Sequence, residues 1–205
     1  MRRLPACTRP LFALALWLCA SAAWLPPPAV AQQQLSIKPV AEKKIQALPA
    51  GPLYWRIETF ATLAQAHAAA GPTALAAEVS GKAWLFTLGP QGGATAGATR
   101  VAEIGPVPPL AAPEYLLRIN HATGAPGAKT AVHSHPGSEA FYVLRGRLEQ
   151  KTPHGISHAD AGQAMNGHGA DVPMEVFSSG TVDLDQLVMF VVDASRPFSS
   201  PAHLH

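Results

Sequence analysis

Two histidines and a glutamate near the middle of the chain are the residues whose types and spacing are best suited to chemistry. His133 and His135 are one residue apart, so in a β-strand their side chains lie on the same face. Glu139 follows four residues later, after a Pro136-Gly137 bend that can bring its carboxylate back beside the imidazoles. Two imidazoles and one carboxylate suit a divalent first-row metal ion and leave coordination positions open. The spacing therefore predicts a metal site at His133, His135 and Glu139.

These three residues belong to a longer pattern that begins at Gly127 and ends at Gly146. The pattern resembles the first signature of the cupin superfamily, G-x5-H-x-H-x3-E-x6-G, and all five fixed positions and all intervals are present. The resemblance covers roughly residues 115–193. It implies an all-β chain with a jelly-roll β-barrel of the cupin type, whose ligands point inward. Three ionisable groups inside an apolar barrel are costly to bury unless they are paired or bound to metal.

The second cupin signature, G-x5-P-x-G-x2-H-x3-N, is only partly present. Met174 falls at the position of its histidine and Ser178 at that of its asparagine. Three ligands therefore carry over from the family and the fourth does not. Two interpretations of Met174 remain open: a thioether that fills the barrel, or a soft fourth ligand that would favour copper.

Two further histidines are candidates for a general acid or base, or for the rim of the cavity. His168 lies in a glycine-rich loop beside the expected barrel mouth, and His121 ends the strand before the motif. At both positions an ordinary solvent-exposed histidine is the favoured alternative.

The first 31 residues have the pattern of a secretory signal peptide. A basic start is followed by an apolar stretch, a proline break and the small residues of a cleavage site, Ala29-Val30-Ala31. The alternative, a membrane anchor, is less consistent, because the largely apolar stretch 11–25 is 15 residues long and falls short of the ~20 that span a bilayer. We therefore expect an exported protein, periplasmic or extracellular, without a stable membrane anchor.

Cleavage after Ala31 would leave 174 residues, enough for one domain with a sizeable core. That mature chain has 12 lysines and arginines against 13 acidic residues, and a near-neutral balance argues against nucleic acid as a partner. Both cysteines, Cys7 and Cys19, lie in the predicted signal peptide, so the mature protein needs no disulfides.

Composition and turn residues divide the mature chain into four parts: an N-terminal arm (32–52), an N-terminal extension that packs on the barrel (53–114), a cupin domain (115–193) and a loose tail (194–205). The arm has several lysines and no clean period, which predicts a mobile segment with one helical turn near Glu42. In the extension, a Thr62–Gln65 capping box predicts one short helix between extra strands. The cupin domain shows evenly spaced short strands separated by turn residues, as in a sandwich or barrel. These strands are predicted at 115–121, 130–135, 139–145, 147–152, 155–159, 163–166, 172–177 and 183–193.

The resemblance implies one divalent transition metal as the cofactor: manganese, iron, copper, zinc or nickel. The expected function is that of a metal-dependent enzyme acting on a small molecule inside the barrel, with oxygenase, isomerase or lyase type chemistry. The alternative is a non-catalytic metal or small-ligand binding protein of the cell envelope. Cupins often pair through added strands, so the resemblance also implies a possible homodimer.

Overall fold

The computed structural model describes residues 33–204, so the predicted signal peptide lies outside the described residues. The described chain forms strands throughout, with one short helix. In chain order, the elements are β1 (Ser36–Ile45), β2 (Tyr54–Phe60), α1 (Leu63–Ala69), β3 (Ala74–Val79), β4 (Lys82–Gly89), β5 (Thr99–Ile104), β6 (Tyr115–Gly124), β7 (His133–Ser134), β8 (Gly137–Arg145), β9 (Arg147–Thr152), β10 (Gly155–Asp160), β11 (Ala164–Asn166), β12 (Glu175–Ser178), β13 (Leu184–Asp193) and β14 (Ser200–Pro201).

The barrel is built from two facing sheets. One has five strands in the order β1-β6-β13-β8-β11, and the other has three in the order β10-β9-β12. All neighbouring strands in both sheets run antiparallel. Apolar side chains from the two sheets meet in one core that includes Phe141, Leu148, Val176 and Val188. This arrangement confirms the predicted fold class, an all-β barrel with extra N-terminal strands and one short helix.

The central strand β13 is buried on both faces. Its even-numbered residues, such as Val188 and Phe190, point into the barrel. Its odd-numbered residues, such as Leu187 and Met189, point outward into a second core. A strand buried on both faces needs apolar residues at nearly every position, which explains the unbroken apolar run in this part of the sequence.

The second core lies between the barrel and a four-stranded sheet of order β3-β4-β2-β5. Trp55, Trp84 and Phe86 from that sheet pack against the outward residues of β6 and β13. The helix α1 covers the other face of the four-stranded sheet through Ala66, and its predicted capping box is present in both directions. The extension thus packs on the outside of the barrel, as predicted.

The N-terminal arm is an edge strand, and the prediction of a helical turn near Glu42 is wrong. β1 pairs antiparallel with β6 from Ser36 opposite Thr123 to Ile45 opposite Tyr115. The register shifts between Pro39 and Ala41, where the proline is tolerated because the strand is irregular there and lies at the sheet edge. Lysines along an edge strand discourage pairing with another chain. They also interrupt the alternation of apolar and polar residues from which a strand is normally predicted.

The prediction of a loose C-terminal tail is also wrong for the described residues. In β14, Ser200 pairs with Ser134 and Pro201 with His133. Arg196 donates two hydrogen bonds to the carboxylate of Asp171, at 2.6 and 3.0 Å. The tail has no local preference for structure, yet these long-range contacts hold it across the barrel mouth.

None of the helices in residues 33–204 is both long enough and apolar enough to cross a membrane.

Candidate functional site in the barrel

The two motif histidines lie together on the short strand β7 and the turn after it. The backbone of His133 exchanges two hydrogen bonds with that of Met174, at 2.9 and 2.8 Å, which fixes the strand against the chain before β12. The rings of His133 and His135 meet edge to face, with centroids 4.9 Å apart. The structure thus brings together the two imidazoles that the spacing predicted to share a face.

Both imidazoles are oriented by backbone carbonyls. Nδ1 of His133 lies 2.8 Å from the carbonyl oxygen of Ala131, and Nδ1 of His135 lies 2.6 Å from that of Phe198. Because a carbonyl oxygen only accepts, each Nδ1 carries the proton and donates it. Each Nε2 then has a free lone pair, which is the form in which histidine binds a metal ion.

Glu139 lies inside the barrel on β8, where its side chain is 2% exposed. Nε2 of Gln150 donates a hydrogen bond to its Oε1. The backbone of Gly167 packs directly behind it and donates to its carbonyl oxygen at 3.0 Å. A Cβ at Gly167 would lie 2.6 Å from Cγ of Glu139, so only glycine fits there. Gln150 therefore holds the carboxyl group, and Gly167 leaves Cγ of Glu139 the space it occupies.

Burial controls the charge state of this pair. It raises the pKa of Glu139 to about 8, and the hydrogen bond from Gln150 opposes that rise. It lowers the pKa of His135 to about 4, against the opposing effect of the Phe198 carbonyl. At neutral pH, without a bound cation, both groups are uncharged. The 3.9 Å between Nε2 of His135 and Oε2 of Glu139 is then a contact between neutral groups, not an ion pair.

The chemistry of the donor set fits a divalent transition metal, whereas its spacing is wider than a bound ion requires. Two ligand atoms each ~2.1 Å from one ion are roughly 3.0 to 3.4 Å apart in octahedral or tetrahedral geometry, compared with the observed 3.9 Å. Among residues 33–204, no three His, Cys, Asp or Glu side chains are close enough to hold an ion as they stand. To hold one ion between them, Nε2 of His135 and Oε2 of Glu139 would have to approach each other by roughly 0.5 to 0.9 Å.

Met174 is buried beside this group, 1% exposed, but it is not among the residues that line the cavity next to the motif. Its sulfur accepts a hydrogen bond from Nε2 of Gln150 at 3.4 Å. The same amide nitrogen thus connects Met174 to Glu139. Gln150 was not singled out in the sequence, because its role depends on β9 lying opposite β8.

The structure corrects the placement of both rim candidates, since neither is among the residues that line the cavity beside His133, His135 and Glu139. His121 points away from the barrel interior, on the same face of β6 as Ile119. There its Nε2 lies 2.7 Å from Asp185. His168 packs beside His154, with ring centroids 5.3 Å apart, and its pKa is lowered chiefly by burial. Strand parity alone would have placed His121 outside, because Asn120 and Ala122 face inward.

A cavity of about 340 Å³ lies inside the barrel and reaches the motif residues. His133, His135 and Glu139 form one part of its wall, and Phe141, Phe190 and Phe198 contribute aromatic surface. Phe198 reaches the cavity from the C-terminal tail, where its ring packs against His135 and Phe190 at centroid distances of 4.7 and 5.0 Å. Asn120 and Gln186 also line the cavity. Phe198, Asn120 and Gln186 were not predicted from the sequence, since nothing local to them distinguishes them.

The first cupin signature thus lies on β7, β8 and the turns around them, with its ligand residues facing the interior of a two-sheet antiparallel barrel. The domain has the cupin fold. Gly146, its last fixed residue, adopts φ +78° in the turn after β8, and a Cβ there would lie 2.6 Å from the carbonyl oxygen of Asp183. A larger residue would clash there, which explains why the cupin signature has a fixed glycine at this position.

Several solved structures are similar to part of this chain. A cupin-like protein from Thermotoga maritima is 17% identical, with a TM-score of 0.38, over 43% of this chain and 65% of that one. A protein with a double-stranded β-helix domain from Klebsiella pneumoniae is 20% identical, with a TM-score of 0.37, over 42% of this chain and 75% of that one. A polyketide cyclase from Streptomyces resistomycificus is 19% identical, with a TM-score of 0.36, over 43% of this chain and 62% of that one.

The chain thus spans less than two thirds of the Thermotoga and Streptomyces proteins. Such distant likenesses concern the fold and carry no information about activity. No protein-family model and no curated protein sequence matches the chain.

Proposed function

We propose that the protein binds one divalent transition metal ion through His133, His135 and Glu139 and acts on a small molecule beside it in the barrel. The observation that supports this most is the arrangement of the two imidazoles. Each Nδ1 donates its proton to a backbone carbonyl oxygen, at 2.8 Å for His133 and 2.6 Å for His135. Each Nε2 keeps a free lone pair. The cavity of about 340 Å³ gives a small molecule room to reach them.

The bound metal would act as a Lewis acid that polarises an oxygen atom of the small molecule. The residues of the chain provide the surroundings. The Phe198 carbonyl fixes the ring of His135, and Gln150 holds Oε1 of Glu139. The aromatic rings of Phe141, Phe190 and Phe198 line the same space. An apolar surrounding strengthens each electrostatic contact inside it.

We infer two candidate activities from this site. The first is metal-dependent catalysis of oxygenase, isomerase or lyase type. The second is binding without turnover, and it is favoured by the positions of His121 and His168, both outside the cavity wall. Catalysis by general acid or base would need a titratable group within hydrogen-bond reach of the small molecule. Among the described residues, Lys129 is the one titratable residue besides the three proposed ligands on that wall, and Glu175 pairs with it at 2.5 Å.

Metal analysis of four matched proteins tests the proposed centre. The mature parent, His133→Ala, His135→Ala and Glu139→Gln would be loaded with each candidate metal, and bound metal would be counted after gel filtration. We expect about one ion per parent chain, a large loss in either histidine variant, and weakened binding in Glu139→Gln. His158→Ala is the control, because His158 is exposed on β10. Full occupancy in His135→Ala would refute the ligand set.

A second experiment separates catalysis from binding. The metal-loaded parent and the His135→Ala variant would be incubated with a small-molecule extract of the native compartment, and the compounds would be followed by mass spectrometry. A compound consumed only by the parent indicates catalysis. A compound retained unchanged by the parent but not by the variant indicates the second candidate.

We also propose that the protein is exported and that cleavage after Ala31 exposes Gln32 as the new N-terminus. Basic, apolar and small-residue segments in the first 31 residues support this. N-terminal sequencing of material from the periplasm or medium tests it. Mature material that still begins at Met1 would overturn the proposal.

The homodimer implied by the cupin resemblance stays a prediction. The extra strands already cover the outer face of β6 and β13 within the same chain, so that face is not free for pairing. Size-exclusion chromatography with light scattering would distinguish one chain from two.

A further inference from the structure

Two amide side chains stand out on the cavity wall formed by β6 and β13. Asn120 is 5% exposed and Gln186 is 1% exposed, and both line the cavity. The side-chain oxygens Oδ1 of Asn120 and Oε1 of Gln186 have no hydrogen-bond partner anywhere in residues 33–204. A buried polar atom without a partner destabilises a protein, so such a pair in an otherwise apolar wall calls for an explanation.

The two amides are close enough to act on one group. Asn120 lies opposite Val188, and Gln186 lies opposite Ala122, on the adjoining antiparallel strands. They are therefore diagonal neighbours on the inner face, with Cβ atoms roughly 7 Å apart. The residues across from them, Ala122 and Val188, are apolar and line the same cavity. The space between the two amides is thus polar at its ends and apolar around them.

We propose that Asn120 and Gln186 form a recognition subsite for an uncharged hydrogen-bonding group of the small molecule, a hydroxyl or a primary amide. This inference rests on the proposed function, because it assigns the far end of the molecule that the metal centre would bind. Each carboxamide offers an accepting oxygen and a donating NH₂ group. A hydroxyl or an amide both donates and accepts, so it satisfies them where a hydrocarbon does not.

The charges around the cavity favour a neutral group over an ion. Lys129 is a cation on the cavity wall, and its Nζ lies 2.5 Å from Oε1 of Glu175. No free cation in the described part of the wall is therefore left to balance an anionic end of the molecule near the amides. A positively charged end would lie in an apolar surrounding of Ala122 and Val188 with only neutral amides as partners, which is costly. The surroundings of the two amides therefore favour an uncharged end of the small molecule.

Matched aromatic probes test the subsite, since three phenylalanines line the cavity. Benzyl alcohol, benzamide and toluene share a ring and differ in the polar group. Their dissociation constants for the metal-free, full mature chain would be measured by NMR titration. We expect the alcohol and the amide to bind more tightly than toluene, by about threefold to tenfold for each hydrogen-bonding side chain engaged. Equal affinity for all three probes, or no binding, would overturn the proposal.

Two shape-conserving variants assign the selectivity to the amides. Asn120→Leu and Gln186→Met keep the size of the side chain and remove its polar atoms. We expect each to reduce or abolish the preference for alcohol and amide over toluene. We also expect a melting temperature equal to or above that of the parent, because each removes an unpaired buried oxygen. A lower melting temperature with unchanged selectivity would show a purely structural role and refute the subsite.

His133→Ala separates this inference from the proposed metal centre. The variant should lose metal but keep the parent's selectivity among the three probes, because His133 lies on β7 and not on the amide wall. Conversely, Asn120→Leu should keep the parent's metal content. If His133→Ala keeps the selectivity without the metal, and Asn120→Leu keeps the metal without the selectivity, the two sites are independent parts of one cavity. Selectivity that persists in both amide variants would overturn the subsite whatever happens to the metal.

Discussion

The carbonyl oxygen of Phe198 accepts a hydrogen bond from Nδ1 of His135 at 2.6 Å, although the two residues are 63 positions apart. The ring of Phe198 also packs on His135 and on Phe190. The guanidinium of Arg118 lies 4.1 Å from the centre of the same ring, on its face. The C-terminal tail is therefore a structural part of the site, since it sets both the tautomer and the orientation of a proposed ligand.

Removal of the tail should weaken metal binding. Deletion of residues 198–205 takes away the carbonyl that orients His135, and loss of such an outer hydrogen bond typically reduces metal affinity by about 10- to 100-fold. Competition with a chromophoric chelator would measure it. A deletion of only Leu204 and His205 is the control, because it keeps β14 and Phe198. Equal affinities in the two truncations would contradict a role for the tail.

The contribution of Glu139 to the stability of the metal-free protein should fall as pH rises from about 4.5 to about 8. Glu139 has a raised pKa of about 8 in the folded state against an ordinary 4.5. Across this window the folded protein keeps a proton that the unfolded chain releases, so rising pH favours unfolding. His135, with its pKa lowered to about 4 from 6.5, acts in the opposite sense, and its contribution is lost as pH falls below 6.5.

The interval from pH 6.5 to 8 isolates Glu139. Urea unfolding of the chelator-treated parent and of Glu139→Gln would be compared there, since the amide of glutamine does not titrate. As pH rises through this interval, the free energy of unfolding of the parent should fall steadily relative to that of Glu139→Gln. Parallel pH curves for the two proteins would contradict a raised pKa at Glu139.

Replacement of Met174 by leucine should leave metal binding nearly unchanged. The Met174 sulfur accepts a hydrogen bond from the Gln150 amide at 3.4 Å, so its buried position is explained without a bound metal. A volume-conserving change of this kind costs less than about 1.5 kcal/mol. Metal affinity and thermal unfolding of the parent and the variant would be compared for copper, zinc, manganese, iron and nickel. A selective loss of copper affinity in Met174→Leu would establish the sulfur as a ligand, and Met174→His would then shift the preference away from copper.

The packing of the four-stranded sheet on the barrel should contribute strongly to stability. Leu187 is fully buried in the core between them. Its truncation to alanine should cost about 2–5 kcal/mol through lost burial and the cavity left behind. Val182→Ala, at a side chain 44% exposed, is the control and should change stability by less than about 0.5 kcal/mol. Equal effects of the two changes in urea unfolding would contradict the proposed core.

Short-range patterns were sufficient for three strands of the barrel and for the helix. The strands predicted at 139–145, 147–152 and 183–193 are observed as β8, β9 and β13 within two residues at each end. The Thr62–Gln65 capping box marks the start of α1. These features depend on alternation, turn residues and caps, which act between residues close in sequence.

Long-range pairing was not readable in the same way. β1 carries lysines and Pro39 because it is an edge strand, so its pattern does not alternate. β14 is two residues long and forms only because β7 lies beside it. Neither segment has an internal preference that predicts its partner.

The sequence by itself determined which residues could bind a metal. His133 and His135 are spaced to share one face of a strand, and the bend after them can bring Glu139 beside them. Only the tertiary structure decided which other groups contact them or share their cavity: Phe198 from the tail, Gln150 from the facing sheet, and Asn120 and Gln186 from other strands of the sheet that holds Glu139. It also turned His121 outward. The physical reason is that a barrel interior is assembled from strands distant in sequence, and which side chains share it depends on pairing and register. Both are determined by packing of the whole domain and not by neighbours along the chain.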